Sequence, residues 1–332
     1  MADHGGAERV KKTPPPEHVA PLAGLKGAEP PAPAWFREAI AVEPERSFVE
    51  NLGAKIELLT WGEVGKPGLL FVHGASAHAD WWSFIAPFFA KDYRIAALSL
   101  AGMGLSDWRD SYRFPDFCSD FEAVAQAAGL YADGGKPIYI GHSFGGAQVF
   151  FAGMRAPEQL KAGILIDTGF GAPPEQVERG ETPSREAADR EAKIYPSFEA
   201  ALARFRLMPL QPTENLYIAD FIARRSLKMA ARPDGGEGWT WRFDPKLWAK
   251  LDRGSLRASP EDMARPMPPM VHIAGEHSAL LQRRRDGKLM AFPTSLPEIV
   301  LPDAYHHVMV DQPLALVAAL RALLAAWPPA AP

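Results

Sequence analysis

Apolar residues follow two alternating rhythms along the chain: short runs closed by glycine, proline or an acid, and longer stretches at helical spacing. Ser47 to Glu50 and Lys55 to Trp61 read as strands, with a turn at Gly62. Gly68 to Val72 is apolar throughout and runs into His73-Gly74. Tyr93 to Leu98, Pro137 to Ile140, Ala162 to Ile166, Met270 to Ala274 and Glu298 to Leu301 have the same form. Helical patterns lie between them. Phe117, Phe121, Val124 and Ala128 recur at helical spacing within Phe114 to Ala128, and Gly129 stands just past the end. Asp80 to Ala90 is expected as a helix kinked at Pro87. The last helix is predicted to open at Asp311-Gln312-Pro313 and to bury Leu316, Leu320, Leu323 and Trp327. Strands alternating with helices predict an α/β fold, a mostly parallel sheet flanked by helices on both faces.

The rhythm breaks in two places. Residues 1–33 are rich in Pro, Gly and Ala with few large apolar groups, and read as a flexible arm. Order is expected to begin near Trp35-Phe36. Between Gly171 and about Ser259 the strands stop. Charged helical runs appear there (Ser184 to Lys193, Phe198 to Leu207, Asn215 to Lys228), with an aromatic cluster of Trp239, Trp241, Phe243 and Trp248. An insertion this long inside an α/β sheet predicts a helical cap over the site at 172–259. The core is then 34–171 together with 260–332.

Composition narrows the function. In 332 residues, 47% are hydrophobic and 23% charged, enough apolar material for a packed core. A net charge of −4 gives no electrostatic reason to expect nucleic acid or an anionic membrane as partner. Cys118 is the single cysteine, so no intrachain disulfide can form. The first residues carry acids and lack an apolar stretch of the signal-peptide kind, and a cytoplasmic location is expected. No His-Glu-x-x-His or Cys/His spacing indicates a metal, and the Gly-rich turns at Gly102 to Gly104 and Gly141 to Gly146 do not make a dinucleotide fingerprint, so no cofactor is expected. Arg283-Arg284-Arg285 reads as a solvated face.

The chemistry centres on Ile138-Tyr139-Ile140-Gly141-His142-Ser143-Phe144-Gly145-Gly146. This is Gly-x-Ser-x-Gly between a strand and a helix. So tight a turn forces the serine into an unfavourable backbone conformation, and side chains two positions to either side would clash. The hydroxyl then stands above the strand end, beside the free N–H groups of a helix N-terminus.

With this elbow, three further motifs in order make the chain resemble an α/β-hydrolase over roughly residues 45–328: Phe71-Val72-His73-Gly74-Ala75, Leu98-Ser99-Leu100-Ala101-Gly102-Met103-Gly104-Leu105-Ser106-Asp107, and Tyr305-His306-His307-Val308-Met309-Val310-Asp311-Gln312-Pro313. The resemblance implies an eight-stranded sheet, Ser143 as nucleophile and His306 as its base, with His307 a structural neighbour. It implies an oxyanion hole from the backbone N–H groups of Ala75 and Phe144. The usual place for the triad acid, past Gly275, holds Ser278 and Ala279. Two carboxylates could substitute. Asp167 ends the strand after the elbow helix, and Glu276 lies early in the usual loop; the strand-end position favours Asp167. His78, Trp81, Trp82, Trp239 and Trp241 are candidates to line the pocket; for Trp239 and Trp241, filling the cap's own core is an equal alternative. The expected activity is hydrolysis of a hydrophobic carboxylic ester or lactone by way of an acyl-enzyme, with water as the second substrate. Hydrolysis of a carbon–carbon bond in a diketone-type product, or ligand binding by a decayed triad, are the alternatives. A homodimer is compatible with the sequence.

Overall fold

In the computed structural model, which describes residues 16–170, 191–256, 261–262, 265–289 and 296–327, the short apolar runs are strands. In chain order these are β1 (Glu45–Asn51), β2 (Ala54–Trp61), β3 (Gly68–Val72), β4 (Arg94–Leu98), β5 (Ile138–His142), β6 (Ala162–Ile166), β7 (Leu227–Ala231), β8 (Glu237–Trp241), β9 (Met270–Gly275) and β10 (Glu298–Leu301). Eight of them form one sheet in the order β1-β2-β4-β3-β5-β6-β9-β10. β1 and β2 run antiparallel to their neighbours, and every other pairing is parallel.

Helices of five or more residues among the described residues are α1 (Ala34–Ile40), α2 (Phe114–Ala127), α3 (Phe144–Arg155), α4 (Phe198–Leu202), α5 (Leu216–Arg225), α6 (Ala279–Arg285) and α7 (Pro313–Ala326). Side chains alternate across each strand, so β3 sends Leu69 and Phe71 to one core and Leu70 and Val72 to the other. The first core packs under α7 through Leu316, Leu320 and Leu324; the second packs under α2 and α3 through Phe117, Phe121, Val149 and Phe151. With both faces covered, β3, β5, β6 and β9 are buried along their whole length, as parallel strands require. Their carboxyl ends lead to His73-Gly74, Ser143, Asp167 and the loop after Gly275, so the candidate chemistry collects at one rim.

Three sequence expectations change. Asp80 to Ala90 is not a kinked helix but two 3₁₀ turns, Ala79–Trp82 and Ala86–Phe88. Pro87 lies in the first two positions of the second turn and has no N–H to continue a helix from the first.

The cap is not wholly helical. α5 stops at Arg225, and Leu227 onwards pairs antiparallel with β8, Met229 opposite Trp239. The reversal is made at Asp234-Gly235-Gly236, where Gly235 has φ +85° and Arg232 N–H donates to the Gly236 carbonyl at 2.7 Å. The run from Phe198 is helical only to Leu202, and Ser184 to Arg190 lie outside the described residues.

The arm also packs sooner than expected. Residues 1–15 lie outside the described residues, but Leu22 is buried in the same core as Phe36, and Arg224 Nη2 donates to the Gly27 carbonyl at 2.7 Å. Leu22, with Leu25 packed against the same core, anchors the segment in a Pro- and Ala-rich context.

Candidate active site

The elbow is built by close backbone approach. Ser143 has φ +52° and ψ −115°, a conformation that L side chains rarely adopt. A Cβ on Gly141 would stand 2.5 Å from the Gly145 carbonyl oxygen, and one on Gly145 would stand 2.3 Å from the carbonyl oxygen of His73. Only glycine fits at either position. Ser143 N–H donates to the Ile166 carbonyl at 2.9 Å, and the Ser143 carbonyl accepts the first bond of α3 from Ala147. The serine is half-buried, at the helix N-terminus and open to solvent on one side.

His306 and Asp167 meet from distant parts of the chain. His306 Nδ1–H donates to Asp167 Oδ2 at 2.6 Å, with both side chains buried. This bond leaves Nε2 as the acceptor nitrogen of the imidazole. Asp167 is held on other sides as well: Ser278 Oγ–H donates to Oδ2 at 2.5 Å and Gly275 N–H to Oδ1 at 3.3 Å. Its own backbone sits at φ +42°. Glu276, the alternative acid, is half-exposed; its Oε2 accepts from Asp303 N–H at 3.2 Å and lies 3.9 Å from His277.

His142 links the serine to the histidine loop. Its Nε2–H donates to the His306 carbonyl at 2.9 Å, and the two rings lie 4.8 Å apart. Gly74 approaches from the other side, where a Cβ would stand 2.8 Å from His142 Nδ1 and 3.3 Å from Ser143 Cβ. The turn that carries Ala75 therefore lies against the elbow. His73 fixes that turn by donating from Nδ1 to the Gly74 carbonyl at 2.6 Å while Nε2 accepts from Leu100 N–H at 2.9 Å. Burial pushes its pKa down to about 3, so it stays neutral and keeps both roles. No backbone or side-chain acceptor takes the N–H of Ala75 or of Phe144 among the described hydrogen bonds.

His307 does not share the role of its neighbour. Its Nδ1–H and backbone N–H both donate to Gln211 Oε1, at 2.8 and 3.1 Å, and its ring lies 5.6 Å from Trp81. Burial holds it well below the ordinary histidine range, with the charges of His306 and His142 acting in the same direction. Gln211 belongs to the cap, and its amide Nε2–H₂ donates to both oxygens of Asp311 at 2.9 and 3.0 Å. The sequence gives no sign of Gln211, and marks Ser278 only as standing where an acid is usual, because neither type nor spacing marks a polar residue that works by supporting another.

The aromatic candidates separate. Trp82 is fully buried, 4.9 Å from the Phe71 ring, and belongs to the core rather than to a pocket. Trp239 packs on Phe198 at 4.9 Å and Trp241 on Phe205 at 6.1 Å, within the cap. His78 is buried, with Nε2 2.9 Å from Ser226 Oγ. Trp248, assigned by sequence only to the aromatic cluster, brings the cap against the elbow: it is partly exposed and lies 5.3 Å from Phe144. Among the described residues Glu276, His277 and Asp303 are grouped closely enough to hold a metal ion, but all are exposed, and none contacts His306. No helix among the described residues is long and apolar enough to cross a membrane.

A profile of the Alpha/beta hydrolase family matches residues 69–320, and the chain belongs to that family. It is 28% identical over 207 residues to a Serine hydrolase-like protein of Danio rerio, covering 55% of this chain and 60% of that one. Over 108 residues it is 32% identical to Lipase LipV of Mycobacterium tuberculosis, covering 32% of this chain and 39% of the lipase. Over 122 residues it is 28% identical to Epoxide hydrolase 4 of Mus musculus, covering 36% of this chain and 33% of the relative. The matches to these curated relatives thus span from one third to three fifths of their length. Among solved structures, the thioesterase domain from the curacin biosynthetic pathway superposes with a TM-score of 0.63 at 22% identity, over 84% of this chain and 99% of the domain.

Proposed function

We propose that the protein is a serine hydrolase acting on a hydrophobic carboxylic ester or lactone. The observation that carries this reading is the strained Ser143 at a helix N-terminus, one residue from His142, which is bonded to the carbonyl of His306, itself paired with Asp167 at the end of β6. Ser143 Oγ attacks the carbonyl carbon while His306 Nε2 takes its proton, and the negative charge moves to the carbonyl oxygen. The amides of Ala75 and Phe144 receive that oxyanion. As the carbon–oxygen bond breaks, His306 returns the proton to the leaving alkoxide and an acyl-Ser143 remains. Water, deprotonated by His306, adds to the acyl carbon; Ser143 leaves and recovers the proton, and the acid departs. Asp167 holds the imidazole in the tautomer this requires and stabilises the cation formed in each half-reaction.

A serine at the elbow argues against the chemistry named for the mouse relative. Opening an epoxide in this family calls for a carboxylate nucleophile, and residue 143 carries a hydroxyl. Trp248 and Phe144 beside the elbow favour an apolar acyl or alcohol group of modest size. A cytoplasmic setting belongs to the same proposal.

The test is a panel of p-nitrophenyl esters together with a fluorophosphonate probe. Turnover with an initial burst of p-nitrophenol, probe labelling of the wild type and loss of both in Ser143→Ala are expected. A wild type that hydrolyses no ester in the panel and takes up no probe overturns the proposal.

A further inference from the structure

At the seam between cap and core, a cavity of about 170 Å³ is lined by Arg46, Glu57, His78, Asp80, Gly104, Leu105, Arg224, Arg225 and Arg242. Four guanidinium groups face two carboxylates. Both carboxylates are already engaged. Glu57 is buried, pairs with Arg46, and accepts from Ser99 Oγ at 2.5 Å and Leu105 N–H at 3.0 Å. Asp80 takes Arg46 Nη2 at 3.0 Å on each oxygen.

The remaining cations are less well matched. Arg224 turns towards Asp220, at 2.7 Å. Arg225 lies 3.6 Å above the Phe221 ring, with Nε 3.6 Å from Asp80 Oδ1. Arg242 donates from Nε to the Leu227 carbonyl at 2.9 Å, and none of the described ion pairs within 4 Å includes its guanidinium, on which Asp80 acts only from farther off. Burial shifts the pKa of Arg225 and of Arg242 downward. Partly desolvated positive charges gathered around one cavity repel each other, and an oxyanion between them reverses the sign of that interaction.

We propose that this cavity is a binding site for a small oxyanion, a phosphate or carboxylate group, held chiefly by Arg242 and Arg225. The volume corresponds to about six waters, room for such a group with part of its hydration. Arg224, Arg225 and Arg242 belong to the cap, and Arg46 and Glu57 to the sheet, so a bound anion ties the two together. His78 connects the site to the elbow side. It follows Ala75 by three positions and lies 3.7 Å from Asp80. The site does not depend on the reaction proposed for Ser143.

Calorimetric titration of the full chain with inorganic phosphate and with succinate, at matched ionic strength, tests it. Saturable binding of either anion at one site per chain is expected. Arg242→Gln and Arg225→Gln should each weaken it by about tenfold or more, while Arg283→Gln on α6 should not. Tighter phosphate binding identifies a free phosphate as the occupant, and tighter succinate binding a carboxylate-bearing molecule. Circular dichroism of the anion-free variants separates lost binding from lost folding. No saturable binding of either anion, or binding unchanged in both folded cavity variants, overturns the proposal.

Discussion

Asp167 carries four constraints on one residue: a bond from His306, one from Ser278, one from Gly275 and a left-handed backbone at φ +42°. Replacing its carboxylate by an amide keeps the shape but puts an N–H₂ group or a neutral oxygen where His306 Nδ1–H needs a charged acceptor. Asp167→Asn is therefore expected to lower kcat on an ester by about 10⁴, the loss for the analogous change in a protease triad, with KM little altered. Glu276→Gln is expected to stay near wild type, since that side chain is half-exposed and bonds to Asp303 N–H. The opposite ranking of the two variants in steady-state assays would move the acid to 276. At this scale the chain was readable where a motif has a steric or electronic cause. Gly141 and Gly145 were called for by the tight turn, and both positions exclude a Cβ. The preference for Asp167 rested on its place at a strand end, and it is the carboxylate in contact with His306. Ser278 was seen only as a missing acid. That it donates to the replacement carboxylate depends on two loops meeting across β6 and β9, which no local pattern encodes.

Elements were legible in proportion to how far local pattern and tertiary packing agree. β10 and α2 lie where the pattern put them, to within a residue; in α2 the apolar face coincides with the buried one, and β10 is an edge strand anchored by Leu301. The cap hairpin was missed because Asn215 to Lys228 is rich in good helix formers. β7 exists by pairing with β8, and Asp234-Gly235-Gly236 was the signal for it. The contact between the cap and the loop that carries His306 is polar. Gln211 satisfies His307 with its oxygen and Asp311 with its nitrogen, while Asn215 Nδ2–H₂ donates to the carbonyls of Val310 and Asp311. Gln211→Leu strands the buried imidazole N–H of His307 and takes from the half-buried Asp311 carboxyl the amide that bridges its two oxygens, leaving it the N–H of Tyr305. It should cost about 2 kcal/mol or more in urea unfolding, and it should lower kcat more than it raises KM, because the loop it holds carries His306. Loss of stability with kcat intact would show that the cap bond serves folding alone.

For the molecule as a whole, buried titratable groups set opposing trends with pH. His73, His142 and His307 are held below the ordinary histidine range mainly by burial, so the unfolded chain binds protons more readily than the folded one in mild acid. Stability therefore falls as pH drops below about 6.5, the unperturbed histidine value. Asp311 acts the other way. Burial pushes its carboxyl from 3.8 up to about 7, although Tyr305 N–H and Gln211 donate to it. Between those two values the folded state holds a proton that the unfolded state has released. The slope of unfolding free energy with pH from this group is thus negative. Its stabilising contribution is fully present below pH 3.8 and declines as pH rises through about 7. Asp311→Asn removes that decline and leaves the histidine trend in place. Urea midpoints for the two proteins should then diverge steadily from mildly acidic to neutral pH, the variant gaining on the wild type throughout, and run parallel above about pH 8, where Asp311 is ionised in both states. A constant offset between the two curves across the whole range would mean that Asp311 binds the same number of protons in the folded and unfolded states, its carboxyl titrating in the fold as it does in the open chain.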